Sequence, residues 1–413
     1  MNYLWYIFFI IDWILFIPVF LTVLYLLVFA VASLFTNKQH VVKSKHFNRF
    51  IVLIPAYKAD KTIMQSVNAI LGQNYPQRVF DIVVISDHQD EMTNMRLAQL
   101  PITLLTPNFE SSSKAKSLQY AILNLPQFKI YDAVIVLDAD NIVEPEFLEQ
   151  MNDAYESAGT KAIQAHRMSR NRDTATARLD AIFEEINNSI FRKGHIALGL
   201  SAAISGSGML FEFEWFKRNI MKSHNTVGED KELEILLMRE GIYVDYFEDI
   251  HVYDEKTRQT TDFNNQRSRW AYTQLHTLIN NLRFFPKALL GRHYDLLDKL
   301  IQWMLVPRTI MMSIILIMSL MGVLGLVLPF INTSSAIKWW IICSIALFAF
   351  SLATPDYLVD KNWDTDFLRA PLVIIWGLFN IARVGKTEAD TRIGAVGRNI
   401  KKIKSTAIVK SRR

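Results

Sequence analysis

The sequence predicts an α/β fold, in which a mostly parallel sheet carries helices on both faces, joined to transmembrane and interfacial helices. Three observations support this prediction. Long uncharged runs stand near both ends of the chain, short Val- and Ile-rich runs alternate with helix-like segments between them, and 51% of the 413 residues are hydrophobic against 21% charged. This composition fits one sizeable soluble domain attached to a membrane part.

The uncharged runs approach or exceed the length that crosses a bilayer, which is about 20 apolar residues. The first, Tyr3 to Phe35, holds a single charged residue, Asp12, and two more cover 309–337 and 339–355. We therefore expect a transmembrane segment (1–35), a soluble domain (36–294), a membrane region (295–385) and a basic tail (386–413). The membrane region is expected to hold an interfacial helix, two transmembrane helices and a further interfacial or re-entrant helix.

The charges beside these runs predict the orientation in the membrane. Four basic residues follow the first run with no acid among them: Lys38, Lys43, Lys45 and Arg49. The tail from Arg383 carries ten Lys or Arg against two acids. Because Lys and Arg concentrate on the cytoplasmic side, the sequence predicts a multi-pass protein of the cell membrane whose soluble domain and tail are cytoplasmic.

Two amphipathic or short apolar stretches leave alternatives open. "FLRAPLVIIWGLFNIARV" (367–384) is expected to lie in the membrane interface, because a crossing there would move the basic tail outside; a true span is the alternative. "DLLDKLIQWMLVPR" (295–308) carries apolar residues along one helical face and polar residues along the other. It fits a helix lying on the membrane surface, or one packed on the soluble domain. The polar face consists of Asp295, Asp298, Lys299 and Gln302.

In the soluble domain, four short apolar runs predict strands: "FIVLIPAY" (50–57), "DIVVISD" (81–87), "ITLLTP" (102–107) and "AVIVLDAD" (133–140). Helix-like segments near 60–73, 114–125 and 145–158 separate them. Continuous apolar strands with helical crossovers are typical of a parallel sheet covered on both faces. Ligands bind such sheets beyond the carboxyl ends of the strands. Three strands end at or near carboxylates there: Asp60, Asp87, and the pair Asp138 and Asp140.

The pair in "VLDADN" stands at positions i and i+2, so both side chains leave the strand in the same direction. Side by side they repel each other unless a cation or a donor lies between them. Mg²⁺ or Mn²⁺ shared with the phosphates of a substrate would remove that repulsion. Asp and Asn are also common in turns and helix N-caps, so the pair alone is a weak indication.

Two further stretches allow both a structural and a chemical interpretation. "TVGEDKELEILLMREG" (226–241) starts a helix with Glu229 and Asp230, which are typical of a helix N-terminus and also suit a general base. "SGSGML" (205–210) is a small-residue turn, either a flexible connection or a point where backbone approaches a ligand. The single cysteine, Cys343, excludes a disulfide framework, and the spacing of the nine histidines excludes a zinc site.

The order of these motifs carries a family resemblance. "IPAYKAD", "VVISD", "SKAKSLQYAI", "VLDAD", "GED" and "QRSRW" follow one another along the soluble domain, between the membrane segments. This resembles the family 2 glycosyltransferases of the GT-A fold. It is most similar to their membrane-bound branch with the Q-x-x-R-W motif, which includes cellulose, chitin, hyaluronan and poly-N-acetylglucosamine synthases and ceramide glucosyltransferases.

The resemblance implies roles for individual residues. Asp60, Asp87 and Lys114 match positions that hold the uridine and diphosphate of the donor. Asp138 and Asp140 match the D-x-D motif, with Asp140 on the metal, Mg²⁺ or Mn²⁺, and Asp230 matches the catalytic base. The Q-x-x-R-W positions, expected to bind the diphosphate through arginine and the acceptor sugar through tryptophan, are Gln266, Arg267, Arg269 and Trp270.

The chain departs from the family pattern at a few positions. Lys58 and Ala59 stand where Asn-Glu is usual, so Asp60 falls one place off its usual role. Gly228 replaces the common Thr before Glu229, and Gln119 stands where Asn is usual. These departures bear on the identity of the donor more than on the class of reaction.

The resemblance implies a membrane-embedded, inverting, metal-dependent glycosyltransferase. The expected reaction transfers a sugar from a nucleotide sugar, a UDP-sugar above others, to a growing β-linked polysaccharide. Transfer of a single sugar to a membrane lipid is the first alternative, and a non-catalytic nucleotide-binding scaffold in the membrane is the second. The expected partners are the donor, a polysaccharide or lipid acceptor and the lipid bilayer, with no nucleic acid.

Overall fold

The structure is a computed structural model that describes residues 2–36, 41–126, 128–223, 228–325 and 333–358. The predicted interfacial stretch 367–384 and the basic tail 386–413 lie outside the described residues.

The soluble domain is built on one sheet of eight strands in the order β3-β2-β1-β4-β7-β6-β8-β5. The strands are β1 Phe50–Tyr57, β2 Phe80–Asp87, β3 Thr103–Leu105, β4 Ala133–Val136, β5 Ile142–Val143, β6 Ala162–Ser169, β7 Met209–Glu212 and β8 Val244–Asp254.

The described helices cover the sheet or extend away from it. Those up to the middle of the domain are α1 Asn2–Ser33, α2 Ile63–Leu71, α3 Glu91–Leu97, α4 Lys114–Leu123, α5 Phe147–Ala158, α6 Ala175–Asn188 and α7 Gly194–Ala197. Those that follow are α8 Phe213–Ile220, α9 Glu229–Glu240, α10 Thr260–Asn281, α11 Phe285–Leu290, α12 Tyr294–Met304, α13 Arg308–Gly325 and α14 Thr333–Ala353. A π-helical turn, Ser189–Lys193, joins α6 to α7, and short 3₁₀ turns cover 77–79, 282–284 and 356–358.

Both faces of the sheet are buried, because alternate residues of each strand enter different cores. On β1, Ile51 and Leu53 pack with α4, α8, α9 and α12, whereas Val52 and Ile54 pack with α2 and α5. The continuous apolar sequence of the strand is required because neither face meets water. The predicted α/β fold with helices on both faces is therefore confirmed.

The sheet is more mixed than the sequence suggested. Strands β1, β2, β3 and β4 are parallel to one another, as predicted from their apolar runs. Strand β7, however, lies antiparallel between β4 and β6, and the short β5 pairs antiparallel with β8. Strands β5 and β7 are short, with two and four residues. Strand β6, which pairs with β7, contains the polar residues Gln164, His166 and Arg167 and so lacks the apolar run that identified the first four strands.

Two of the described helices are long and apolar enough to cross a membrane, with segments Phe9–Ser33 and Ala336–Ala353. A third candidate arises if α12 and α13, which meet at a bend of 50°, form one broken span. Helices α1, α13 and α14 pack together through small and apolar side chains such as Ala30, Met311 and Ala346. The same cluster includes Ile186 and Ile190, so these three helices also contact the end of α6.

Helix α12 follows the second of its two predicted arrangements, a helix packed on the soluble domain. Its apolar residues Leu296, Leu300 and Trp303 join the core of the soluble domain, beside α9. Two residues of the expected polar face are buried as well, since Lys299 is 1% exposed and Gln302 is 8% exposed. The helix is therefore packed on the soluble domain, and its polar side chains are paired inside the protein rather than solvated.

Candidate active site

The carboxyl ends of β1, β2 and β4 meet at one edge of the sheet, because these strands are parallel and in register. A cleft of about 770 Å³, called the main cleft below, opens there. Its lining includes most of the residues that the sequence predicted: Asp87, Lys114, Asp138, Asp230, Gln266, Arg267, Arg269 and Trp270. Residues up to about 180 positions apart in the sequence therefore line the same cleft.

A smaller cleft of about 670 Å³, the side cleft, adjoins the first and shares Asp138, Arg167, Gln266 and Trp270 with it. Asp140 lies in the side cleft. Asp60 lines neither; its Oδ1 accepts a hydrogen bond of 2.8 Å from the backbone N–H of Asp90. Its expected role toward the donor remains a prediction.

Lys114 and Asp138 form an ion pair at the floor of the main cleft. Lys114 is the first residue of α4, and its Nζ also donates to the carbonyl oxygen of Gly206 at 2.7 Å. Burial alone would lower the pKa of Lys114, but the charges of Asp138 and Glu229 outweigh burial and raise it. The lysine therefore stays a cation, as binding of a phosphate group requires.

The two carboxylates of the D-x-D motif lie in different electrostatic environments. Asp138 is held ionised by Lys114, whose charge lowers its pKa despite burial. Burial and the charges of Asp138 and Asp254 raise the pKa of Asp140 to about 6. The two carboxylates thus retain the mutual repulsion that a cation would relieve.

These residues fit a divalent cation such as Mg²⁺ or Mn²⁺, since carboxylate oxygens are its preferred ligands. Within the described ranges, no group of three or more His, Cys, Asp or Glu could hold a metal ion. A cation on Asp138 and Asp140 would therefore take its other ligands from water or from substrate phosphates, as Mg²⁺ commonly does.

The candidate base lies at the N-terminus of α9. Asp230 is half-buried, and its Oδ1 accepts from the backbone N–H of Lys231 at 2.9 Å. The turn 205–208 passes close by, because a Cβ added at Gly206 would lie 3.7 Å from Asp230 Oδ2. Gly206 has a φ of +83°, a left-handed conformation that favours glycine. The small-residue turn is thus a place of close backbone approach.

Gly228, just before this helix, has a steric reason to replace the usual threonine. Its φ is +114°, and an added Cβ would lie 2.2 Å from Cγ2 of Thr273 on α10. Only glycine fits, so the start of α9 packs directly on the helix that carries the Q-x-x-R-W motif.

The Q-x-x-R-W residues lie on α10, and their two arginines differ. Arg269 is exposed and lines the main cleft. Arg267 instead donates from Nη2 to Asp180 Oδ1 at 2.8 Å, and its Cζ lies 5.0 Å from the centre of the Trp270 ring. In this geometry Arg267 packs against the ring of Trp270, whereas the exposed Arg269 can bind a ligand in the cleft.

Sequence reasoning missed two residues of this region, Arg167 and Arg308, and gave Glu229 only as a carboxylate beside the expected base. Arg167, on β6, lines both clefts and donates to Asp254 Oδ2 at 2.6 Å and to the carbonyl oxygen of Ser205 at 3.1 Å. Glu229 lies 4.0 Å from Lys114, and burial, assisted by Asp230, raises its pKa although Lys114 opposes the shift. Arg308, the first residue of α13, also lines the main cleft. No motif in the sequence marks Arg167 or Arg308.

The fold and the cleft together define a GT-A type glycosyltransferase. Residues 48–273, more than half of the chain, match the model of the glycosyltransferase-like family 2, and the chain belongs to that family. No curated protein matches it.

Solved structures resemble the chain in fold at low sequence identity. A mannosyltransferase from Pyrobaculum calidifontis, PcManGT in complex with GDP-Man and Mn²⁺, is 15% identical with a TM-score of 0.52, over 82% of this chain and 97% of that one. The S. aureus protein TarS, residues 1–349, is 13% identical with a TM-score of 0.43, over 82% of this chain and 92% of that one. At these identities the likeness is one of fold alone.

Proposed function

We propose that this protein is a membrane-embedded, inverting glycosyltransferase. It transfers a sugar from a nucleotide sugar, expected to be a UDP-sugar, to an acceptor that enters the main cleft from the membrane side. One observation carries the proposal: Lys114, Asp138, Asp230 and Trp270 line a single cleft that continues to Thr22 and Leu26 of the membrane helix α1.

Asp230 acts as the general base. The acceptor hydroxyl oxygen forms a bond to the anomeric carbon of the donor sugar, the bond from that carbon to the diphosphate breaks, and the hydroxyl proton passes to Asp230. A single displacement converts an α-linked donor into a β-linked product. General bases typically contribute about 10²–10⁴-fold to such a step.

The leaving diphosphate gains negative charge as its bond to the sugar breaks, and fixed cations nearby stabilise it. Lys114 and Arg269 are placed for this role, because both line the main cleft. Asp138 and Asp140 would hold Mg²⁺ or Mn²⁺, which neutralises phosphate charge when bound. Arg267 supports Trp270, whose ring is the proposed surface for the acceptor.

The lining of the cleft favours a lipid over a polysaccharide as the acceptor. Its end near the membrane contains Leu26, Phe191, Leu305 and Val306, which are apolar and suit an acyl chain better than a hydrated sugar polymer. Transfer of one sugar to a lipid, the alternative in the sequence analysis, thereby becomes the first candidate. Extension of a β-linked polysaccharide is the second, and Trp270 is the feature that supports it.

The test is incubation of the full-length protein, in native membranes, with a panel of UDP-sugars and other nucleotide sugars, followed by sizing of the product. A product that consists of a lipid carrying one added sugar supports the first candidate, and a polysaccharide product supports the second. If no donor is consumed under any condition, the non-catalytic scaffold replaces both.

A further inference from the structure

Arg308 lies in the main cleft at its membrane end, which we define as the lining residues Thr22, Leu26, Phe191 and 305–309. It is the first residue of α13, beside the 50° bend from α12. Its Nη2 donates to Asn187 Oδ1 at 2.6 Å, whereas Nη1 is buried and has no hydrogen-bond partner among the described residues. A guanidinium stays charged, and a buried donor without an acceptor is costly.

A second guanidinium lies close to the first. The Cζ atoms of Arg267 and Arg308 are 4.8 Å and 5.4 Å from the centre of the same ring, that of Phe183. Arg267 is paired with Asp180, but its Nε also lacks a partner. Within the described ranges, Arg308 forms an amide hydrogen bond and no ion pair with a carboxylate.

An anion beside Arg308 would satisfy these unused N–H groups and relieve the repulsion between the two cations. Phosphate suits a guanidinium, because two parallel N–H groups can donate to two of its oxygens. Glu184 and Asn187 line the cleft beside Arg308, but the membrane end itself is apolar at Leu26, Phe191 and 305–307, so it suits a ligand with an acyl chain rather than a free ion. A ligand with a phosphate for Arg308 and an acyl chain for the apolar lining is an amphiphile with a phosphate group.

We propose that the membrane end of the main cleft binds the phosphate of an amphiphilic lipid through Arg308. The bound lipid is the acceptor, and a hydroxyl of its headgroup reacts at Asp230 as described above. This inference rests on the proposed function. It adds that the acceptor is an anionic phospholipid bearing a free hydroxyl, and it assigns Arg308 to acceptor selection rather than to the donor.

The test uses the full-length protein in a neutral detergent with two short-chain lipids. Dioctanoyl phosphatidylglycerol carries both a phosphate and hydroxyls, and dioctanoylglycerol carries a hydroxyl alone. Binding is followed by tryptophan fluorescence, because Trp270 and Trp303 line the cleft. We expect the phosphate lipid to bind tighter by about 10- to 100-fold, the usual effect of a charged hydrogen bond.

Arg308→Gln should abolish this preference while UDP binding stays unchanged. Arg283→Gln is the matched control, since Arg283 is exposed and lines neither cleft, and it should keep the preference. Should Arg308→Gln prove unstable, Arg308→Lys is used, and it should retain a reduced preference.

Equal binding of the two lipids by the unaltered protein would overturn the inference, as would a preference that survives Arg308→Gln. A loss of UDP affinity in folded Arg308→Gln, matching the loss for the lipid, would assign the arginine to the donor diphosphate instead. Failure of the proposed function would be detected by a different measurement, because the protein would then consume no donor in the panel of nucleotide sugars.

Discussion

Lys299 of α12 and Glu234 of α9 form an ion pair of 3.0 Å in the interior, where the two side chains are 1% and 0% exposed. The pair joins α12 to α9, the helix whose first turn carries Asp230. Lys299 also donates to Gln302 Oε1 at 2.8 Å, and Glu234 accepts from the backbone N–H of Ile204 at 3.0 Å. The base-bearing helix is thus fixed to both the membrane-side helix and the segment that precedes the 205–208 turn.

Replacement of Lys299 by Met should destabilise the protein by up to about 3–5 kcal/mol, because it leaves the buried charge of Glu234 with only the more distant Lys231, whose Nζ lies 3.9 Å away. The free energy of unfolding in detergent measures the effect. Lys129→Met is the control: its pair with Asp81 is partly exposed, so less than about 1 kcal/mol should be lost. The double variant Glu234→Gln/Lys299→Met should recover part of the stability, and no recovery would mean that the pair is not the cause.

Gly228→Ala should lower stability by at least about 2 kcal/mol and impair transfer, because a Cβ overpacks against Thr273 and the left-handed backbone is strained. Gly159→Ala is the matched control, with a φ of +62° and no atom within 4 Å of the added Cβ. Adding Thr273→Ser to Gly228→Ala removes the clashing methyl group and should restore part of the loss. A tolerated Gly228→Ala would refute the close packing of α9 on α10.

Chelation of divalent cations should abolish transfer, and Mg²⁺ or Mn²⁺ should restore it, because Asp138 and Asp140 otherwise face the diphosphate with like charge. Asp140→Asn should weaken the response to added metal, whereas Asp81→Asn, remote from both clefts, should leave it unchanged. The measurement is the rate of donor consumption against metal concentration. Full activity in excess chelator would contradict a role for the metal.

Trp270→Ala removes the proposed surface for the acceptor but leaves the base and the carboxylate pair in place. In a transferase that adds one sugar it should raise the KM for the acceptor without changing the size of the product. In a processive enzyme it should shorten the polymer and spare some hydrolysis of the donor. Trp270→Phe keeps an aromatic face and should behave closer to the unaltered protein, so equal effects of the two variants would argue against stacking.

The sequence was sufficient for the first half of the sheet and for the recognisable motifs. Strands β1, β2 and β4 are continuous apolar runs, and helix α4 begins at Lys114, where the helix-like segment was expected. The antiparallel insertion of β7 was not foreseen, because its register with β4 depends on contacts between residues more than 70 positions apart, such as Val136 and Met209.

Site residues that stand in a short sequence motif could be predicted. Residues whose role depends on a side-chain partner distant in the sequence could not. Asp138 and Asp230 stand in motifs that the sequence displays. Arg167 reaches Asp254 because β6 and β8 pair in parallel. Lys299 was assigned to the polar face of a helix, and helical periodicity could not show its buried partner on α9. Arg308 stood at the end of the stretch 295–308, where no motif marked it.

The central claim is that Asp230 takes a proton from the acceptor in a sugar transfer, and Asp230→Asn tests it most directly. Asparagine keeps the size and hydrogen-bonding shape but accepts no proton, so UDP-sugar binding should persist while transfer falls by roughly 10²–10⁴-fold. Asp249→Asn, an exposed change on β8, should leave both unchanged. Transfer at the normal rate by Asp230→Asn, or loss of donor binding with loss of transfer, would contradict the account and make Glu229 the next residue to test.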